Sequence, residues 1–124
     1  MNHHPYKDVL LINKTKKVSL NLGSRTASFV IGGDRVQTVR LGSREIETLR
    51  FMLNNQGRVI SRDEILSTVW GERIVCENTV SVTLSNIRKI LRKADEDCSC
   101  LISVSSSGYI FRPEKSGFTI VQSC

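Results

Sequence analysis

The sequence has two histidines, and both, His3 and His4, sit at its very start. An imidazole-based catalytic dyad or zinc site would have to borrow them from an extended terminus, so neither is expected. There is no Gly-rich phosphate loop, no His-Glu-x-x-His helix and no Gly-x-Ser-x-Gly elbow. Enzyme activity, a cofactor and a small-molecule substrate are therefore not expected. No stretch approaches the ~20 consecutive apolar residues of a membrane span. Met1 to Lys7 is not followed by a signal-peptide core, because Val9–Ile12 is too short. A cytoplasmic chain is the expectation. The four cysteines, Cys76, Cys98, Cys100 and Cys124, do not form the paired Cys-x-x-Cys of a structural zinc site. Without a secretion signal, free thiols are the default.

What is present is a chain of 124 residues with 40% apolar and 24% charged residues, enough for one domain around one core. The net charge of +6 is unevenly placed. Arg88, Lys89, Arg92 and Lys93 crowd two helical turns, and Lys14, Lys16 and Lys17 form a second knot. Acids gather in helix first turns (Glu45, Glu47, Asp63, Glu64) and in Asp95-Glu96-Asp97. Segregation of this kind suits a polyanionic partner.

Residues 1–8 are expected to be a flexible start. From 9 to 41 the chain has the period of strands: Val18, Leu20 and Leu22 alternate with Ser19 and Asn21, and Phe29 and Ile31 run into the turn Gly32-Gly33-Asp34. Four short strands imply an antiparallel sheet, a platform without site chemistry. The period then becomes helical over 43–94. Ser43 can cap a first helix carrying Ile46, Leu49 and Leu53, stopped by Gly57. Ser61 and Glu64 form a capping box for a second, which carries Ile65, Leu66, Val69 and Trp70 and ends at Gly71. Asn78 opens a third. Residues 101–112 read as a hairpin around Ser106-Ser107-Gly108, closed by Pro113, and 114–124 as a tail in which Phe118–Val121 could add an edge strand.

The third helix is the informative one. Val80, Leu84, Ile87, Leu91 and Ala94 share a face that points to the core. The opposite face carries Asn78, Val82, Ser85, Lys89 and Arg92, flanked by Ser81, Asn86 and Lys93, with no acid between Asn78 and Lys93. Short hydrogen-bonding side chains, one apolar group and cations are what a helix needs to read a major groove.

Helix, capping-box helix, loop, basic helix and hairpin together resemble the OmpR/PhoB-type winged-helix effector domain, also found in ToxR- and CadC-like regulators. The matching strings are Leu41 to Leu49, Gly57 to Leu66, Val69-Trp70-Gly71, Thr79-Val80, Ile87-Arg88-Lys89 and Gly108-Tyr109, in the right order over about residues 9–113. The resemblance implies an α+β winged helix-turn-helix: an N-terminal four-stranded antiparallel sheet, three helices and a C-terminal β-hairpin wing. It implies sequence-specific binding of double-stranded DNA for transcriptional regulation, with residues 78–93 in the major groove. Asn78, Val82, Thr83, Ser85 and Asn86 are expected to read bases, and Arg62, Trp70, Arg88, Lys89 and Arg92 to meet phosphates. Ser105 and Ser107 would lie on the wing. Glu72, Arg73 and Glu77 would lie in a loop that such activators offer to RNA polymerase. A homodimer or a partner regulator on DNA fits the same resemblance.

The departures matter too. Relatives often carry an Arg shortly before the Gly-Tyr pair, whereas Ser103 to Ser107 holds no cation. Positions that are Arg in strong binders are Asn78, Ser85 and Asn86. Base edges, dimerisation or tethering must then carry more of the affinity. With no receiver domain ahead of the module in these residues, the expected organisation is closer to ToxR than to PhoB, standing alone or as the cytoplasmic part of a membrane-anchored regulator. The alternative is a winged-helix adaptor that modulates a partner regulator with little DNA binding of its own.

Overall fold

The structure, a computed structural model, describes residues 9–15, 17–71, 74–76, 78–105 and 108–122. The chain opens with four strands, β1 (Val9–Asn13), β2 (Val18–Asn21), β3 (Thr26–Gly32) and β4 (Arg35–Arg40). Each pairs antiparallel with the next. The alternation seen in the sequence is the pleat: Val9, Leu11, Val18, Leu20, Ala27 and Phe29 are buried, and the residues between them are partly or fully exposed.

Three helical segments follow: α1 (Ser43–Leu53), α2 (Arg62–Ile65, continued by a π-helical turn over Leu66–Trp70) and α3 (Thr79–Leu91). Gly42, rather than Ser43, occupies the cap position of α1, and its N–H is held by Glu45 Oε1 at 2.8 Å. Glycine offers no side-chain acceptor, so the carboxylate near the positive helix end makes the closing bond. The capping box of α2 forms as expected: Ser61 Oγ accepts from Glu64 N–H at 3.0 Å, and Glu64 Oε2 accepts from Ser61 N–H at 2.9 Å. Asn78 stands at the head of α3 without a capping hydrogen bond from its side chain.

The last elements are the hairpin β5 (Leu101–Val104) and β6 (Gly108–Phe111), a 3-10 turn (Pro113–Ser116) and β7 (Phe118–Gln122). The segment read as a tail is thus built into the fold. β7 pairs antiparallel with β1, from Val9↔Gln122 to Asn13↔Phe118, which makes the sheet five-stranded in the order β4-β3-β2-β1-β7. Phe118 drops into the core and supplies the driving force for docking. Helices and sheet enclose one core, in which Ile46, Leu49, Met52, Ile65, Val80, Leu84, Ile87 and Leu91 meet the inner sheet face.

Candidate nucleic-acid interface

The core stripe of α3 falls where its spacing places it: Val80, Leu84, Ile87 and Leu91 are buried, as is Ala94 just beyond the helix. The opposite face is therefore turned to solvent. Asn78, Ser81, Ser85, Lys89 and Arg92 are exposed, Asn86 is half-buried, and Val82 is 49% exposed, a large apolar surface for a side chain ringed by polar ones. Lys93 lies with its Nζ 5.1 Å from the centre of the Phe29 ring, which places the end of this basic stretch against the sheet.

Thr83 departs from expectation. It is 7% exposed, and its hydroxyl donates to the Thr79 carbonyl at 2.9 Å. Position 83 lies one residue before the core position Leu84, so the inner stripe widens to include it and the outer face loses it. Trp70 is 8% exposed, so the ring serves chiefly to fill the core between the helices.

Arg88 is half-buried and turned toward the hairpin, donating from Nη2 to Ser103 Oγ at 2.9 Å and, more weakly, to the Leu101 carbonyl at 3.5 Å. It ties α3 to β5, a role the sequence did not suggest because Ser103 is fifteen positions away. Arg62, the first residue of α2, is exposed beside the capping box. Glu64 in that box is held below the usual carboxylate range, first by the Ser61 N–H and then by Arg58, whose Nη1 lies 3.1 Å away.

A second tether fixes the hairpin from the other side. Ile60 and Tyr109 exchange two backbone hydrogen bonds of 2.8 Å, so the segment before α2 pairs with β6. Gly108, at φ +138°, lies so close that a Cβ there would stand 2.1 Å from the Ile60 carbonyl oxygen. Only glycine fits this approach. Ser105 is exposed in a left-handed conformation, φ 49°. Ser107 and the loop residues Glu72, Arg73 and Glu77 lie outside the described residues. Ile74 of the same loop is fully exposed.

A two-residue tether from β6 to the segment before α2, a hairpin locked to α3 and an outward basic helix make a winged helix-turn-helix arrangement. The profile of the family described as "Transcriptional regulatory protein, C terminal" matches residues 36–111, more than half of the chain. The chain belongs to this family. Curated relatives include the transcriptional activator CadC of Escherichia coli strain K12, 39% identical over 70 residues that make up 56% of this chain and 14% of CadC. Another is the phosphate regulon transcriptional regulatory protein PhoB of Shigella flexneri, 31% identical over 99 residues, 79% of this chain and 41% of PhoB. The chain spans well under half the length of these relatives.

Among solved structures, the DNA-binding domain of E. coli CadC superposes with a TM-score of 0.66 at 24% identity, covering 92% of this chain and 95% of that one. The DNA-binding domain of CpxR from E. coli gives 0.57 at 25% identity, covering 81% and 91%. The OmpR/PhoB-type resemblance and the α+β winged-helix fold expected from the sequence are both borne out, with β7 as an addition to the sheet. Among the described residues, no helix is long and apolar enough to cross a membrane.

Proposed function

We propose that this domain binds double-stranded DNA sequence-specifically and thereby regulates transcription, with α3 in the major groove. The observation that carries the reading is the outer face of α3: exposed, free of acids from Asn78 to Lys93, and composed of short polar side chains, one apolar side chain and cations. Family membership and the curated relatives' names as transcriptional regulators support it. Asn78, Ser85 and Asn86 reach base edges and Val82 a thymine methyl, while Arg62, Lys89 and Arg92 meet phosphates. Trp70 supports this surface from beneath, and Arg88 reaches phosphate only by sharing or leaving its bonds to β5.

The reading extends to partners and place. It puts the domain in the cytoplasm, alone or as the cytoplasmic part of a membrane-anchored regulator. Two copies, or one copy with a partner regulator, would occupy neighbouring sites. The loop from Glu72 to Glu77 would face RNA polymerase, and the bare Ile74 within it supplies an apolar contact of the kind such an interface needs.

The deciding experiment is a DNA titration at two salt concentrations. Groove binding releases counterions, so affinity must fall steeply with salt. Affinity that is weak and indifferent to salt would instead favour the adaptor reading. The neutral wing and the engagement of Arg88 with β5 are the observations on its side.

A further inference from the structure

The sheet has two edges, and the chain guards only one of them. An edge strand offers its free backbone N–H and C=O groups to any strand that approaches. β4 begins and ends on the exposed Arg35 and Arg40, and its pairing with β3 shifts register between Val30 and Gly32. Charged side chains and bulges are devices that keep foreign strands away. β7, at the other edge, has neither. Phe118–Gln122 holds no charged residue and no proline, and it pairs with β1 residue for residue without a shift. Among the described residues no strand lies beyond it.

The entry to β7 is fixed from two directions. Ser116 Oγ accepts from Cys100 N–H at 3.1 Å and donates to Asp95 Oδ2 at 2.8 Å, which ties the 3-10 turn to the turn at Cys98–Cys100. The Asn13 side-chain amide donates to the Ser116 carbonyl, and Phe118 is buried in the core. An approaching chain therefore meets a strand that is already ordered, which lowers the entropy cost of association.

We propose that β7 pairs with β7 of a second copy of this chain, antiparallel about a two-fold axis, joining the two five-stranded sheets into one. The proposal concerns the free protein and stands independently of DNA binding.

The strand is complementary to itself. A two-fold axis at Ile120 sets that residue opposite its own copy, Thr119 opposite Val121 of the second copy, and Phe118 opposite its Gln122. Because side chains alternate between faces, the Ile120 pair lies on the core side and extends the Leu11–Ile120 row. Ile120 is half-buried against the core, and the copy would cover the remainder. On the outer side each row runs from Leu10 through Val121 to Thr119 and Ile12 of the second copy. Thr119 is exposed, Val121 is 44% exposed, and Leu10 and Ile12 are half-buried, so these rows have surface left to lose. β-branched neighbours of this kind favour cross-strand packing.

No charge faces another along the seam. The same operation on β4, centred between Gln37 and Thr38, would set Arg35 against Arg40 twice, and like charges directly opposite are unfavourable. Self-complementarity is what a two-fold interface requires, and it selects a second copy as the occupant of β7. A seam of five residues a side is short, well below the ~1,200 Å² of a standard interface. The dimer therefore forms at high concentration, or where two copies are held near each other.

The test is sedimentation equilibrium of the full chain, reduced and without DNA, from about 10 μM to about 1 mM. The expected result is a reversible rise in mean mass from one chain towards two. The rise should be steeper at higher salt, which screens the net charge of +6 on each copy. DNA binding has the opposite salt dependence, so the two readings fail separately. Thr119→Lys/Val121→Lys sets like charges opposite each other in both outer rows and should weaken association at least about ten-fold. Thr119→Glu/Val121→Glu should do the same, and an equal mixture of the two double variants should associate again. Val36→Lys/Thr38→Lys, on β4, should associate like the parent.

A parent that stays one chain throughout overturns the proposal. So does association that survives the lysines on β7, association lost equally with the lysines on β4, or a mixture that stays apart. Thermal melts show whether the variants fold. Should a β7 variant fail to fold, amide exchange of the parent at the two ends of the concentration range decides. Added protection concentrated in β7 supports the pairing, and unchanged protection there overturns it.

Discussion

Two hairpins of the fold are alike in secondary structure and opposite in attachment, β3–β4 in the sheet and β5–β6 in the wing. In the sheet hairpin, β3 and β4 meet through Gly32 and Gly33, where an added Cβ would touch nothing within 4 Å. β4 is one of the two edge strands of the sheet, and all but one of its residues are exposed. In the wing hairpin, by contrast, β6 is bonded to Ile60, Gly108 is pressed on the Ile60 carbonyl, and β5 is fastened to α3 through Arg88. The first hairpin needs only to exist, whereas the second is held at a set position relative to the helix it accompanies. Positional constraint, and not strand content, separates the platform from the reading end.

The largest break in that contrast should come from Gly108→Ala. The added methyl meets backbone that cannot rotate away, at a φ that already disfavours a side chain, so a loss of about 3 kcal/mol is expected. Gly33→Ala, at φ +55° in open space, should cost only about 1 kcal/mol. Chemical denaturation of the pair measures the gap, and equal losses would mean that the wing is not fixed by this contact.

Next in size is the loss of the α2 entry that carries Ile60 at its shoulder. Ser61→Ala removes the acceptor for Glu64 N–H and should cost about 1 kcal/mol. The effect should be concentrated in amide exchange of α2 and β6 and be absent from β3 and β4. Uniform exchange acceleration across both hairpins would contradict this local coupling.

These expectations rest on contacts of which the sequence revealed only part. The periodicities of Val18 to Leu22 and of Val80 to Leu91 gave the inner faces of sheet and helix, because burial of one face imposes a repeat on the chain. The capping box of Ser61 and Glu64 was equally legible, being made of residues three apart. The long-range contacts were not. Nothing local announces that Arg88 will choose Ser103, that Gly108 will meet Ile60, or that Phe118 will anchor a fifth strand against β1. Thr83 was misread because a β-branched polar residue beside the core stripe can satisfy its hydroxyl on its own helix and go inside.

Smaller effects sharpen the comparison on DNA. Lys89→Ala should weaken binding similarly on all sequences and lower the salt slope by about 1, whereas Lys17→Ala, on the turn between β1 and β2, should leave the slope unchanged. Equal slopes for Lys89→Ala and the parent would remove that residue from the phosphate contacts.

The smallest expected change in stability, within about 0.5 kcal/mol, comes from Ser105→Arg at the exposed wing turn. Its signature should be tighter binding on sites with A·T-rich flanks, where a narrow minor groove attracts a cation. Affinity measured on matched A·T- and G·C-flanked duplexes decides it, and no gain on either would show that the wing tip does not approach the groove.

The pairing of Val9 with Gln122 fixes the direction from which this domain can be pulled. Because β1 and β7 run antiparallel, force applied at the two ends of the described chain enters at the same end of their ladder. Such a load peels the hydrogen bonds one after another instead of shearing them together. The first element to yield under tension is then β7, followed by the 3-10 turn whose Ser116 supports the Cys98–Cys100 turn. Mechanical strain on the chain ends would therefore reach the base of the wing before it reached α3.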